Sequence, residues 1–121
     1  MIKEEFFPTI IYAKDVNLNN KLFEQEIVSW SRQDKGITKT NVNGWHSTTD
    51  MHTIPVFKPL VDELFKMQYE VFKEEWLDRD PIIGNMWANI NYNDGYNRPH
   101  VHPNCLFSGV YYIKAPTNCG E

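Results

Sequence analysis

The sequence predicts an α+β domain with helices packed on one face of a sheet. Two long stretches in its first two-thirds place apolar residues at helical spacing. From about residue 82 the apolar period falls to two. The helical stretches come before most of the strand-like ones, an order that suits α+β rather than alternating α/β architecture.

Residues 5–14 read as a short strand, dense in β-branched and aromatic side chains, with Pro8 placing it near an edge. A helix is expected over 18–31. Leu22, Phe23, Ile27 and Trp30 form its apolar stripe, Lys21, Glu24 and Gln25 face water, and Asn17 or Asn19 can cap it. Residues 33–55 are polar and read as a long loop with a short strand around Gly44-Trp45-His46-Ser47. A second helix is expected over 56–77. Its stripe is Leu60, Leu64, Met67 and Val71, widened by Val61, Phe65 and Phe72. Asp78-Arg79-Asp80-Pro81 ends it, because the residue before a proline avoids the α region. Over 82–92 the alternation puts Met86, Ala88, Ile90 and Tyr92 on one face and Trp87, Asn89 and Asn91 on the other, which is a strand. Asn93-Asp94-Gly95 reads as a turn, 99–103 as an extended, proline-bracketed segment, 106–113 as a second strand, and 114–121 as a turn. One domain is expected, with helical support over about 1–81 and strands over about 82–121.

Composition narrows the function classes. The chain has 121 residues, 12 basic and 16 acidic, for a formal charge of −4. Without a basic excess there is little to neutralise phosphates, which argues against a nucleic-acid partner. An aromatic content of 14% is too high for a disordered chain. No apolar run has the length of a membrane span, and the N-terminus carries two acids rather than a signal-peptide stretch. A cytoplasmic protein is the default expectation. Cys105 and Cys119 form neither a disulfide framework nor a CxxC pair, so two reduced thiols are expected.

The sharpest chemical feature is Pro99-His100-Val101-His102-Pro103. Residues two apart in an extended segment point the same way. His100 and His102 therefore project side by side, close enough to share one metal ion, and the flanking prolines restrict the backbone. Neutral imidazole suits iron, zinc, copper and nickel. The same short spacing also fits a pair of solvated surface histidines. His46 and His52 lack a ligand-like partner nearby and read as loop histidines, solvent-facing or hydrogen-bonded to backbone. Tyr92, Tyr96, Tyr111 and Tyr112 surround the pair in sequence. A tyrosine hydroxyl can orient a bound carboxylate while its ring forms a pocket wall; strand packing is the alternative role. Asn89 and Asn91 are solvated strand positions or pocket amides.

Taken together, residues 91–103, then Ser108-Gly109-Val110-Tyr111-Tyr112-Ile113, then Cys119-Gly120-Glu121, resemble the 2-oxoglutarate/Fe(II)-dependent oxygenases, in particular their prolyl-hydroxylase-like branch. The closer resemblance is to a small bacterial and phage group with an N-terminal Phe-Pro, a Gly-Trp-x-Ser stretch and an HxHP motif followed by Ser-Gly-Val-Tyr-Tyr. Here these are Phe7-Pro8, Gly44-Trp45-His46-Ser47, His100-Val101-His102-Pro103 and residues 108–112.

The resemblance implies a double-stranded β-helix, a jelly-roll-like barrel, with the helices packed against it. It implies Fe(II) as the metal and 2-oxoglutarate and O2 as co-substrates, with hydroxylation of a substrate. His100 matches the first iron ligand. His102 stands where the family's HxD motif has its carboxylate, a departure that gives an all-imidazole set. Tyr112 matches the tyrosine that hydrogen-bonds the co-substrate carboxylate, and Tyr92 another tyrosine of that pocket. In the family the distal histidine and the basic residue for the C5 carboxylate lie beyond the glycine pair, and Glu121 falls at that pair. The resemblance thus implies an N-terminal portion with the first few barrel strands, inactive by itself. Exposed strand edges would favour a homo-oligomer. A non-enzymatic cupin-like metal- or ligand-binding β-domain, or an interaction domain without metal, would carry the same HxH.

Overall fold

Asn19 sets the start of the first helix. In the computed structural model, which describes residues 1–4 and 6–120, its side-chain oxygen accepts a 3.1 Å hydrogen bond from the Leu22 amide, satisfying one of the donors a helix start leaves open. Helix α1 runs Asn20–Gln33. Phe23 and Ile27 are its buried residues, and Trp30 packs beside them. Glu5 and Glu121, the outer ends of the expected first strand and last turn, lie outside the described residues.

Strand β1 (Asn41–His46) falls inside the stretch read as helical support and extends the short strand expected around Gly44. Two single-turn 3₁₀ segments, Met51–Thr53 and Pro55–Phe57, lead into helix α2 (Lys58–Glu74). Leu60, Val61, Val71 and Phe72 are its buried face, as the stripe predicted. The helix ends before Pro81 becomes relevant. Trp76 takes a left-handed conformation (φ 55°), its amide donates to the Lys73 carbonyl at 3.3 Å, and Leu77 N–H reaches back to Phe72 O at 2.8 Å. These paired back-bonds form a Schellman stop, reached three residues sooner than the expected end.

Strand β2 (Asn89–Asn97) pairs antiparallel with β1 in a two-stranded sheet. The expected strand start near residue 82 is corrected to Asn89; upstream, Met86 forms only a single bridge to Asp50. The expected turn at Asn93-Asp94-Gly95 is also corrected: it is a bulge within β2. Val42 faces Tyr96 and Gly44 faces Asn91, so Asn43 alone spans residues 92–95 of the opposite strand. The turn chemistry is what the bulge consumes. Asn43 and Asp94 sit at φ 47° and 59°, a region asparagine and aspartate tolerate. Asn43 Nδ2 donates to Asn93 O at 2.6 Å, and a Cβ on Gly95 would come within 2.3 Å of Asn43 O.

One apolar core joins these elements. Phe23, Ile27, Trp45, Met51, Phe57, Leu60 and Ala88 are its buried members. Phe23 tilts against Phe57 at 5.8 Å between ring centroids, and Trp30 meets Trp45 edge-on at 5.6 Å. Met86 and Ile90 pack against the cluster beside Ala88, which bears out the inner face of the 82–92 alternation as far as Ile90. Tyr92, where the bulge begins, is 54% exposed instead.

Two expected strands do not form. Residues 6–14 and 106–113 carry no ladder hydrogen bonds to a neighbouring strand among the described residues. Their β-branched and aromatic content favours an extended backbone, but propensity cannot supply a partner. Side chains tether them instead. Tyr12 hydrogen-bonds Glu75, and Lys14 Nζ meets Glu70 Oε1 at 2.6 Å. Tyr111 OH donates to Asn20 Oδ1 at 2.6 Å, and Lys114 Nζ meets Glu24 Oε1 at 2.5 Å. Tyr111 and Ile113 pack on the core while Tyr112 points away, 74% exposed. No helix among the described residues is long and apolar enough to cross a membrane. Cys105 and Cys119 are exposed free thiols.

Candidate metal centre

The site begins with residues 86–88. Met86 N donates to Thr49 O at 3.0 Å, and Met51 N returns a bond to Met86 O at 3.1 Å. Ser47 N donates to Ala88 O at 3.0 Å, and Ala88 N donates to Ser47 Oγ at 2.9 Å. This short stretch is held from both sides by residues 47–51. Asp50 contributes there by accepting from Thr48 Oγ1 at 2.7 Å, a hydrogen bond that lowers its pKa. With Met86 and Ala88 turned to the core, alternation turns Trp87 to the opposite face.

His46 occupies that same outer face. It is paired in register with Asn89, which makes Trp87 its diagonal cross-strand neighbour. The two rings stack at 5.2 Å with planes 12° apart. His46 is only 5% exposed, and its Nδ1 donates to Ser47 O at 2.6 Å. The expected backbone hydrogen bond of a loop histidine is present, but the residue is a buried strand position. His52 lies in the first 3₁₀ turn, its Nδ1 buried without a hydrogen-bond partner among the described residues.

The Trp87 indole also stacks with His102, at 5.7 Å and 29°. His102 in turn meets His100 edge-on at 4.8 Å between ring centroids. The Nε2 atoms of His100 and His102 are 3.1 Å apart. His100 Nδ1 donates to Arg98 O at 2.7 Å. That bond puts the ring proton on Nδ1 and leaves the Nε2 lone pair directed at His102. The structure therefore brings together the two histidines that the HxH spacing selects.

Tyr92 and Tyr112 stand outside this ring ladder. Both are exposed, Tyr92 at the start of the β2 bulge and Tyr112 on the outer side of the 106–113 segment. Asn89 and Asn91 are solvated strand positions. Two surface grooves, one along α1 lined by Lys21, Gln25 and Arg32 and one beside the end of α2 lined by Tyr69 and Asp80, lie on other parts of the chain. His46 and Trp87 are the site residues that sequence reasoning missed. The available signal was the 82–92 alternation, which placed Trp87 on the outer face; the register that brings His46 beside it was not readable.

Comparison with known proteins bears on this segment. Residues 85–121 match the family described as "Putative 2OG-Fe(II) oxygenase". The match includes Trp87, Tyr92, His100, His102 and Tyr112, and it leaves out both helices and β1. No curated protein and no solved structure matches the chain.

The matched family implies Fe(II) and 2-oxoglutarate, and the donor set can be tested against a metal. Two nitrogens each about 2.0–2.1 Å from one ion lie about 2.9–3.4 Å apart when the angle between them is roughly 90–110°. The observed Nε2 separation of 3.1 Å falls in that range. Hydrogen-bonding the remote ring nitrogen to a backbone carbonyl is also how metal-binding imidazoles are oriented, as at His100. Among the described residues no cluster of three or more His, Cys, Asp or Glu side chains is gathered for a metal. The donor set gathered at this point is thus two imidazoles.

Proposed function

We propose that this chain carries two metal ligands of an Fe(II)- and 2-oxoglutarate-dependent oxygenase site, and that its role in the whole protein is hydroxylation. The observation that carries the reading is the His100–His102 pair, with its Nε2 atoms 3.1 Å apart and the His100 ring fixed through Arg98 O. The family match over the segment containing both histidines supports it. In this reading β1, β2 and the extended stretch after β2 belong to one wall of a double-stranded β-helix whose outer face carries the site.

His100 and His102 would hold the iron through Nε2. The bound metal with 2-oxoglutarate would supply activation of O2, the chemistry that side chains alone cannot perform. The chain's own residues orient and exclude. Arg98 O keeps the His100 proton on Nδ1. Tyr112 would hydrogen-bond the co-substrate carboxylate through its hydroxyl, and Tyr92 would line the same pocket. His102 in place of a carboxylate keeps the chelate neutral, so the two imidazoles leave the full charge of the cation to attract the dianionic co-substrate.

Anaerobic equilibrium dialysis with Fe(II), with and without 2-oxoglutarate, tests the reading. Retention of Fe(II) that 2-oxoglutarate tightens, and that His100→Ala/His102→Ala abolishes, is expected, because a co-substrate that would bind the metal itself favours the metal-loaded state and the coupling is reciprocal. Fe(II) binding unchanged in the double variant, or indifferent to 2-oxoglutarate, would contradict it.

A further inference from the structure

The two histidines are aimed by different devices. The His100 ring is oriented by a hydrogen bond, Nδ1 to Arg98 O at 2.7 Å. Among the described residues no backbone carbonyl or carboxylate bonds the His102 ring. Its backbone is lightly held as well, its carbonyl accepting one long bond, 3.4 Å, from the Cys105 amide. Besides His100, the ring that touches His102 is the Trp87 indole.

Trp87 is well placed to act as an anvil. Both residues flanking it are hydrogen-bonded into the 47–51 segment. The His46 imidazole lies nearly parallel to the indole, itself buried and tied by Nδ1 to Ser47 O. The ring contacts run His46, Trp87, His102, His100, from the buried strand residue through the half-buried His102 to the exposed His100.

We propose that Trp87 is a positioning residue for the metal pair: its indole, clamped by His46, sets the plane of the His102 ring so that Nε2 meets His100. The inference rests on the metal-site reading above and adds the residue that makes the chelate preformed. Removing a group that orients a metal-binding imidazole weakens metal affinity by roughly 10–100-fold.

The test pairs Trp87→Leu with Trp87→Phe, which keeps a stacking ring. Two measurements are made on each: the histidine ring proton and nitrogen shifts by NMR without metal, and affinity for Zn(II) as a redox-inert probe. In the wild type the His102 ring protons should show a ring-current shift. Trp87→Leu should abolish it, leave the His100 Nδ1–H tautomer in place and weaken Zn(II) binding at least about tenfold. Trp87→Phe should recover most of both, and it decides the matter if the leucine variant does not fold. His102 shifts in Trp87→Leu equal to wild type, or equal Zn(II) affinity in the two, would overturn the proposal. A wild type that binds no Zn(II) would sink the metal reading instead, and the ring shifts would still decide whether Trp87 sets the His102 ring.

Discussion

His100 Nε2 lies 3.1 Å from His102 Nε2 while the opposite nitrogen of His100 donates to Arg98 O. With its proton held on Nδ1, His100 can only accept at Nε2. In the absence of metal the contact is a hydrogen bond from protonated Nε2 of His102; with a cation in the proposed site, both Nε2 lone pairs would be needed for the ion. The pair therefore has two states that differ in which nitrogen of His102 carries the proton, so metal binding should switch the His102 tautomer from Nε2–H to Nδ1–H.

Ser47→Ala should destabilise the fold and disturb the site together. Ser47 is fully buried, and its Oγ accepts from Ala88 N at 2.9 Å. Its removal leaves a buried amide without a partner, at a cost of about 1–3 kcal/mol. The same amide neighbours Trp87. Urea denaturation should show the lost stability, and the fluorescence contribution of Trp87 should change in the native baseline. Unchanged stability would mean that the 47–88 clamp is not what holds this segment.

Trp76→Gly should stabilise. The residue closes the Schellman stop of α2 at φ 55°, and its side chain is 93% exposed. A left-handed residue with a Cβ costs roughly 1–2 kcal/mol relative to glycine, against little packing to lose. A gain of about 1 kcal/mol in the urea midpoint analysis is expected; destabilisation would show that the indole has a partner that its exposure hides.

Tethering of the N-terminal segment should fail in strong alkali. The hydrogen bond to Glu75 pushes the Tyr12 hydroxyl up from 10.0 to about 12. A folded-state pKa raised above the unfolded value means that the contribution is complete below pH 10 and is lost as pH rises through about 12. Ultraviolet titration should show one tyrosine hydroxyl ionising near pH 12, above the ordinary value of about 10. Tyr12→Phe should remove that late step. Absence of any tyrosine step above about pH 11 in the wild type would contradict the assignment.

The helices were legible because their signal is local. The Phe23/Ile27 and Leu60/Val71 stripes follow from helical spacing, and Asn19 is a recognisable cap. The sheet was less legible because pairing is not local. Residues 6–14 and 106–113 have strand composition, yet nothing in a run of β-branched and aromatic residues says whether another strand lies beside it. Asn93-Asp94-Gly95 carries turn residues, and a bulge needs the same left-handed positions as a turn, so the two are indistinguishable until Asn43 is known to sit opposite. The His100–His102 pair was readable from period-two geometry. The ladder behind it was not, since His46 and Trp87 are 41 residues apart and meet only through the β1–β2 register.

The most direct test of the central claim is X-ray absorption at the zinc edge of the Zn(II)-loaded chain beside His100→Ala/His102→Ala. Two imidazole nitrogens at about 2.0–2.1 Å from the metal, absent from the double variant, is the predicted result. Zinc coordination without imidazole, or a spectrum that the double variant leaves unchanged, would show that His100 and His102 are not a metal-binding pair.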